Sequence, residues 1–184
     1  MIPLFVVFYF AQEIPRHFLC ALIVFAAASA TDALDGYIAR KYNLVTDFGK
    51  LMDPLADKLL VMAAMICFVA DDLVSAWIVI VILAREFLVT SIRLVAAGAG
   101  TVIAADVWGK LKTIFQMCWI VYDLLLLSLG ISFIPDSVTY PNKAGGWILP
   151  LVWLHWLLLG ASLFFTVLSG FNYCWKNRGL FQNR

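Results

Sequence analysis

The chain has 184 residues, 64% of them hydrophobic and 14% charged, and a net charge of +1; ordinary soluble domains carry about 25% charged residues. Its mean hydropathy of +0.93 places most of the chain in lipid, and the near-zero net charge excludes an extended nucleic-acid surface. Period-two alternation and aromatic girdles are missing, so a β-barrel is excluded in favour of an all-α fold: a polytopic membrane helical bundle of six transmembrane segments, one domain over residues 1–184.

In chain order, IPLFVVFYFAQ (about residues 2–12) is too short for a full span at about 1.5 Å rise per residue. The second segment runs from His17 to Lys41, the third from Phe48 to Ala70, the fourth from Leu73 to Ala97. The fifth covers Val107 to Ile131 and the last Gly146 to Trp175, with the Pro, Gly and Asn of SFIPDSVTYPNKAGG marking an aqueous loop between them. Cys20, Cys67, Cys118 and Cys174 stand singly in apolar stretches, without zinc or redox spacing. Lys and Arg set the orientation. Arg40, Lys41, Lys50, Lys58, Arg93, Lys110, Lys112 and the tail Lys176, Arg178 and Arg184 fall on one side, against Arg16 and Lys143 on the other. The basic side is expected to be cytoplasmic.

That side also holds the acid-rich stretch TDALDGYIARKYNLVTDFGKLMDPLADK, residues 31–58. Asp32 and Asp35 lie three apart and Asp53 and Asp57 four apart, spacings that put each pair on one helix face. Two neighbouring helices can aim all four into one site; Asp47 is better read as a solvated acid at a helix end. Two carboxylates about 4 Å apart repel by roughly 4 kcal/mol at an effective dielectric of 20. Each acid within a membrane helix costs up to about 2.5–3.5 kcal/mol more. Two divalent ions would offset this. All-oxygen ligation favours hard cations, Mg²⁺ first, with Mn²⁺ or Ca²⁺ as further occupants, and two such ions suit in-line displacement at phosphorus. Gly36, Ala39 and Gly49 leave little bulk beside the acids, which permits close helix packing or a flat ligand. Arg40 can meet phosphate oxygens or anchor at the headgroups.

Read as D-x2-D-G-x2-A-R-x8-G-x3-D-x3-D from Asp32 to Asp57, the stretch resembles the signature of the CDP-alcohol phosphatidyltransferase family at every fixed position. The resemblance implies transfer of a phosphatidyl group from CDP-diacylglycerol to an alcohol, with CMP released and Mg²⁺ or Mn²⁺ required. It implies metal binding by Asp32, Asp35, Asp53 and Asp57, with Asp57 also the general base. Gly36, Ala39 and Gly49 would line the cytidine site and Arg40 would steady the diphosphate. It further implies a homodimer, lipid as surroundings, and a bacterial inner membrane with the active site at its cytoplasmic face. Family members carry an amphipathic, arginine-bearing stretch before the first span, whereas this chain opens at MIPLF; the expectation is a truncated or misassigned start.

The acceptor is sought in the fourth and fifth segments. Glu86, Thr90 and Arg93 form a polar stripe at i, i+4, i+7, and Lys112, Gln116 and Asp123 a second at i, i+4, i+11. Arg85 and Glu86 fall near mid-membrane, where charge is paired or functional. One reading is an ion-pair network between the two helices, strongest for Glu86 and Asp123. The other is a cationic set, Arg85, Arg93, Lys110 and Lys112, that binds an anionic acceptor. LAREFLVTSIR and GKLKTIFQ look like family members whose acceptor is glycerol 3-phosphate, with inositol phosphate, serine and phosphatidylglycerol as alternatives. A divalent-cation transporter is the alternative of another class; it would need acids reachable from both membrane faces. His155 is expected to pack rather than react.

Overall fold

The computed structural model describes residues 1–42, 47–98, 107–131 and 148–176; within its helices, the side chains of residues 33, 35–37, 39–40, 47–57, 97, 148 and 174 lie outside that description. Among the described residues there are six helices and no strand: α1 (Ile2–Phe10), α2 (His17–Lys41), α3 (Asp47–Ala70), α4 (Ala76–Gly98), α5 (Val107–Ser128) and α6 (Ile148–Lys176). The all-α expectation holds, segment by segment. Two stretches, Val107–Ser128 and Leu149–Tyr173, are long and apolar enough to cross a membrane. The expectation of six such spans is met in helix number but not in apolar length. Helices α2 and α3 are apolar only over His17–Asp32 and Lys58–Ala70, because the acid motif occupies the remainder.

The helices gather in two compact units. One comprises α1, α2, α3 and the part of α5 from Ile120 onward; the other comprises α4, the part of α5 up to Trp119, and α6.

In the first unit, Pro3 starts α1 in its first turn, where a missing N–H costs nothing. Phe5 and Tyr9, one turn apart, are wholly buried. The Phe5 ring lies 5.8 Å from Phe25 of α2, and Tyr9 lies 6.2 Å from Phe68 of α3. Too short to span, α1 instead packs as an aromatic wedge on its two neighbours. The connection to α2 is tied down where His17 Nδ1 lies 2.9 Å from the Tyr9 carbonyl oxygen. A carbonyl only accepts, so this nitrogen carries the proton.

Helix α3 ends at Ala70, and α4 starts at Ala76, three residues later than the apolar run suggests. The reason is a Schellman turn: Leu73 N–H donates to Phe68 O at 2.9 Å and Asp72 N–H to Val69 O at 3.1 Å, with Asp72 left-handed at φ 55°. The same motif stops α5 at Ser128 rather than Ile131. Ile131 N–H donates to Leu126 O at 2.9 Å and Gly130 N–H to Leu127 O at 3.0 Å, with Gly130 at φ 74°.

In the second unit, α6 buries His155, Leu159, Ser162, Thr166, Ser169 and Tyr173, a stripe of steps three and four. Its exposed side carries Trp153, Leu157, Phe164, Val167, Phe171 and Trp175. The Thr166 and Ser169 hydroxyls donate to the carbonyls of Ser162 (2.6 Å) and Thr166 (3.1 Å), so their polarity is met within the helix. A helix with polar groups inside and large apolar groups outside suits lipid as its solvent. His155 is buried, as expected of a packing residue.

Asp72 occupies a backbone region that glycine adopts without cost. Asp72→Gly is expected to stabilise the protein by about 0.5–1 kcal/mol and leave activity unchanged; thermal unfolding in detergent, with an activity assay alongside, checks this.

Candidate active site

The acid motif spans the facing ends of two consecutive helices that contact each other. Asp35 lies six residues before Lys41, the last residue of α2, and Asp53 lies six residues after Asp47, the first of α3. Asp32 and Asp57 follow at nine and ten residues from the same ends. At about 1.5 Å per residue, the four positions thus form two levels, roughly 9 and 14 Å along the helices from the connection. Within each helix the pair shares a face by helical period. Asp32 itself is exposed, and no described residue forms an ion pair with it. The Asp35, Gly36, Ala39, Arg40, Gly49, Asp53 and Asp57 side chains lie outside the described residues. Among the described side chains, no three of His, Cys, Asp and Glu stand together as a metal site. As a donor set, four carboxylates offer hard oxygen ligands and suit Mg²⁺ or Mn²⁺.

The second unit holds the cationic residues, and the structure sorts them. Arg85 Nη1 lies 2.6 Å and Lys112 Nζ 2.8 Å from the same atom, Glu86 Oε1. Lys112 is 2% exposed and Glu86 9%. A cation so fully withdrawn from solvent is stable when it is paired. Glu86 therefore joins α4 to α5 as an ion-pair network. Glycines make room for it: a Cβ on Gly170 of α6 would meet Arg85 Cγ at 3.1 Å, and one on Gly109 of α5 would meet Arg85 Nη2 at 3.3 Å. The Arg85 side chain thus runs where three helices come close, over two residues without side chains.

Arg93 is held differently. Its Nε–H donates to Tyr173 Oη at 3.3 Å, and its guanidinium carbon lies 5.5 Å from the Tyr173 ring centroid. Lys110 is exposed near the start of α5, and Thr113 closes on the helix itself, donating to Gly109 O at 3.0 Å. Gln116 and Asp123 are buried along the α5 stripe. The sequence reading thus groups four cations that the structure divides into a buried pair that shares the Glu86 carboxylate, Arg85 and Lys112, and two without a carboxylate partner among the described residues, Arg93 and Lys110. Sequence reasoning missed Tyr173, Gly109 and Gly170. The glycines carried no local turn signal, and the tyrosine sits 80 positions from its arginine.

Glu86 Oε1 meets both Arg85 and Lys112, so its loss breaks the buried ionic contact between α4 and α5. Glu86→Ala is expected to cost about 3–5 kcal/mol of stability, and Glu86→Ala with Lys112→Met to recover much of it. Unfolding in detergent of both variants checks this.

Residues 1–168 match the family described as CDP-alcohol phosphatidyltransferase. The chain is 48% identical over 166 residues to the CDP-diacylglycerol–glycerol-3-phosphate 3-phosphatidyltransferase of Bacillus subtilis (strain 168), covering 90% of this chain and 77% of that one. It is 38% identical over 173 residues to the protein of that name from Rickettsia typhi (94% and 88% covered). To the Treponema pallidum protein of that name it is 31% identical over 182 residues (93% and 83% covered). With the whole acid motif inside the matched region and the likeness running into α6, the chain belongs to the CDP-alcohol phosphatidyltransferase family.

Proposed function

We infer that this chain transfers the phosphatidyl group of CDP-diacylglycerol to glycerol 3-phosphate, forming phosphatidylglycerol phosphate and CMP. The observation that carries the reading is the intact eight-position motif, Asp32 to Asp57, within a chain whose quoted relatives all bear the name of that reaction. Family membership also decides between transferase and transporter.

In this reading Asp32, Asp35, Asp53 and Asp57 hold Mg²⁺ or Mn²⁺, which when bound neutralises the donor's diphosphate and eases departure of CMP. Gly36, Ala39 and Gly49 leave space for the cytidine, and Arg40 holds the diphosphate in place. Asp57 accepts the proton of the acceptor hydroxyl as its oxygen attacks the phosphorus bearing diacylglycerol. A hydroxyl of high pKa needs such a base within hydrogen-bond reach. As the new P–O bond forms, the bond to CMP breaks, and CMP leaves with the bonding pair. Arg93 and Lys110 supply charge to the acceptor's phosphate, with Arg85 and Lys112 set beside them in the Glu86 network.

The enzyme is a single catalytic domain, since the family match runs through residues of both compact units. It sits as six spans in a bacterial inner membrane, its basic side and active site toward the cytoplasm, and works as a homodimer.

Purified enzyme given CDP-diacylglycerol and a panel of alcohols is expected to release CMP with glycerol 3-phosphate and not with serine, inositol phosphate or phosphatidylglycerol. Greater release with any of those would overturn the acceptor assignment. Chelation is expected to abolish turnover and Mg²⁺ or Mn²⁺ to restore it. Asp57→Asn is expected to lower kcat by about 10²–10⁴-fold with the melting temperature retained; unchanged turnover would remove Asp57 as the base.

A further inference from the structure

Tyr173 lies five residues beyond the end of the family match, on the last turns of α6, yet it is one of the more deeply buried side chains of its unit. It packs with Val89 and Ile92 of α4, at 4%, 3% and 7% exposure respectively. A tyrosine ring seated among apolar neighbours has a fixed face and a fixed hydroxyl. Both are turned to Arg93: the hydroxyl takes the hydrogen bond from Nε at 3.3 Å, and the guanidinium stands 5.5 Å from the ring centroid.

Consider what each partner does to the charge it holds. Glu86 neutralises one of the two cations it binds, and it draws both Arg85 Nη1 and Lys112 Nζ onto one oxygen. Tyr173 is neutral. It orients Arg93 through Nε and through the ring quadrupole, and the guanidinium keeps its full positive charge. No described residue takes a hydrogen bond from the two Nη groups of Arg93. Those terminal groups are the fork that meets two oxygens of a phosphate at once. An arginine left to wander would have to lose its side-chain freedom on each binding event, whereas one already held does not.

We propose that Tyr173 is a positioning residue for an anionic acceptor: its hydroxyl and ring hold Arg93 in the orientation that clamps the phosphate of glycerol 3-phosphate, without neutralising it. This rests on the reading of Arg93 as an acceptor ligand given above, and deepens it. The residue touches no reacting atom, so its loss acts on acceptor binding rather than on chemistry.

Steady-state kinetics of the full chain in detergent test this. Tyr173→Phe, which deletes one oxygen and keeps the ring, is expected to raise KM for glycerol 3-phosphate about fivefold. Under the same conditions kcat and KM for CDP-diacylglycerol should stay within about twofold of the parent. Tyr173→Leu, which removes the ring as well, should raise the acceptor KM further. In an Arg93→Ala background, Tyr173→Phe should add nothing. An unchanged acceptor KM in Tyr173→Phe, or an equal rise with and without Arg93, overturns the assignment of Tyr173 while leaving the acceptor reading standing. Should Arg93→Ala itself leave the glycerol 3-phosphate KM untouched, Arg93 is no acceptor ligand, and the role of Tyr173 falls with it.

Discussion

Lipid offers no hydrogen bonds, and α6, one of the two described helices long and apolar enough to cross a membrane, is ordered as that constraint demands. Backbone groups must be satisfied within each segment, so the described chain is helical. Side-chain polarity has to turn inward, so α6 hides His155, Ser162, Thr166, Ser169 and Tyr173 while its tryptophans, Phe164 and Phe171 face out. In water this helix would be inside out. The same rule gathers charge where helices meet, which is where chemistry on a polar headgroup needs it.

Gathered charge then has to be managed, and the second unit uses two methods. Lys112 is almost wholly withdrawn from solvent, and the Glu86 carboxylate pairs with it at 2.8 Å. The arrangement ties α4 to α5 and lets Arg85 run past Gly109 and Gly170 to the same oxygen. Arg93 is only partly withdrawn from solvent and needs no counter-ion; a neutral tyrosine suffices to direct it. A carboxylate secures a helix contact and consumes charge. A phenol gives orientation and keeps the charge available to a ligand.

In the first unit the acid motif follows an opposite logic. Four aspartates stand at two matched levels of two helices, in a stretch whose cations are Arg40, Lys41 and Lys50. As a donor set they suit bound positive charge. The cationic residues of α4 and α5 suit the complementary substrate, one that brings its own negative charge.

Much of this was legible in the linear chain, because helical period and charge asymmetry are local properties. Six apolar segments became six helices within a few residues, and the spacing of Asp32, Asp35, Asp53 and Asp57 already implied shared faces. The ion-pair alternative for Glu86 could likewise be written down from its place in an apolar run. Other matters needed three dimensions. That α1 is a wedge follows from Phe5 and Tyr9 finding Phe25 and Phe68, rings far away in sequence. The end of α5 was set by left-handed Gly130, whose hydrogen bonds stop an apolar run that continues to Ile131, whereas α3 ends at Ala70, where its apolar run does. Above all, one-dimensional spacing lists Arg85, Arg93, Lys110 and Lys112 as equals. Only packing separates the two cations that share Glu86 from the one held by Tyr173, because the partner of a charge is chosen by distance in space and not by position along the chain.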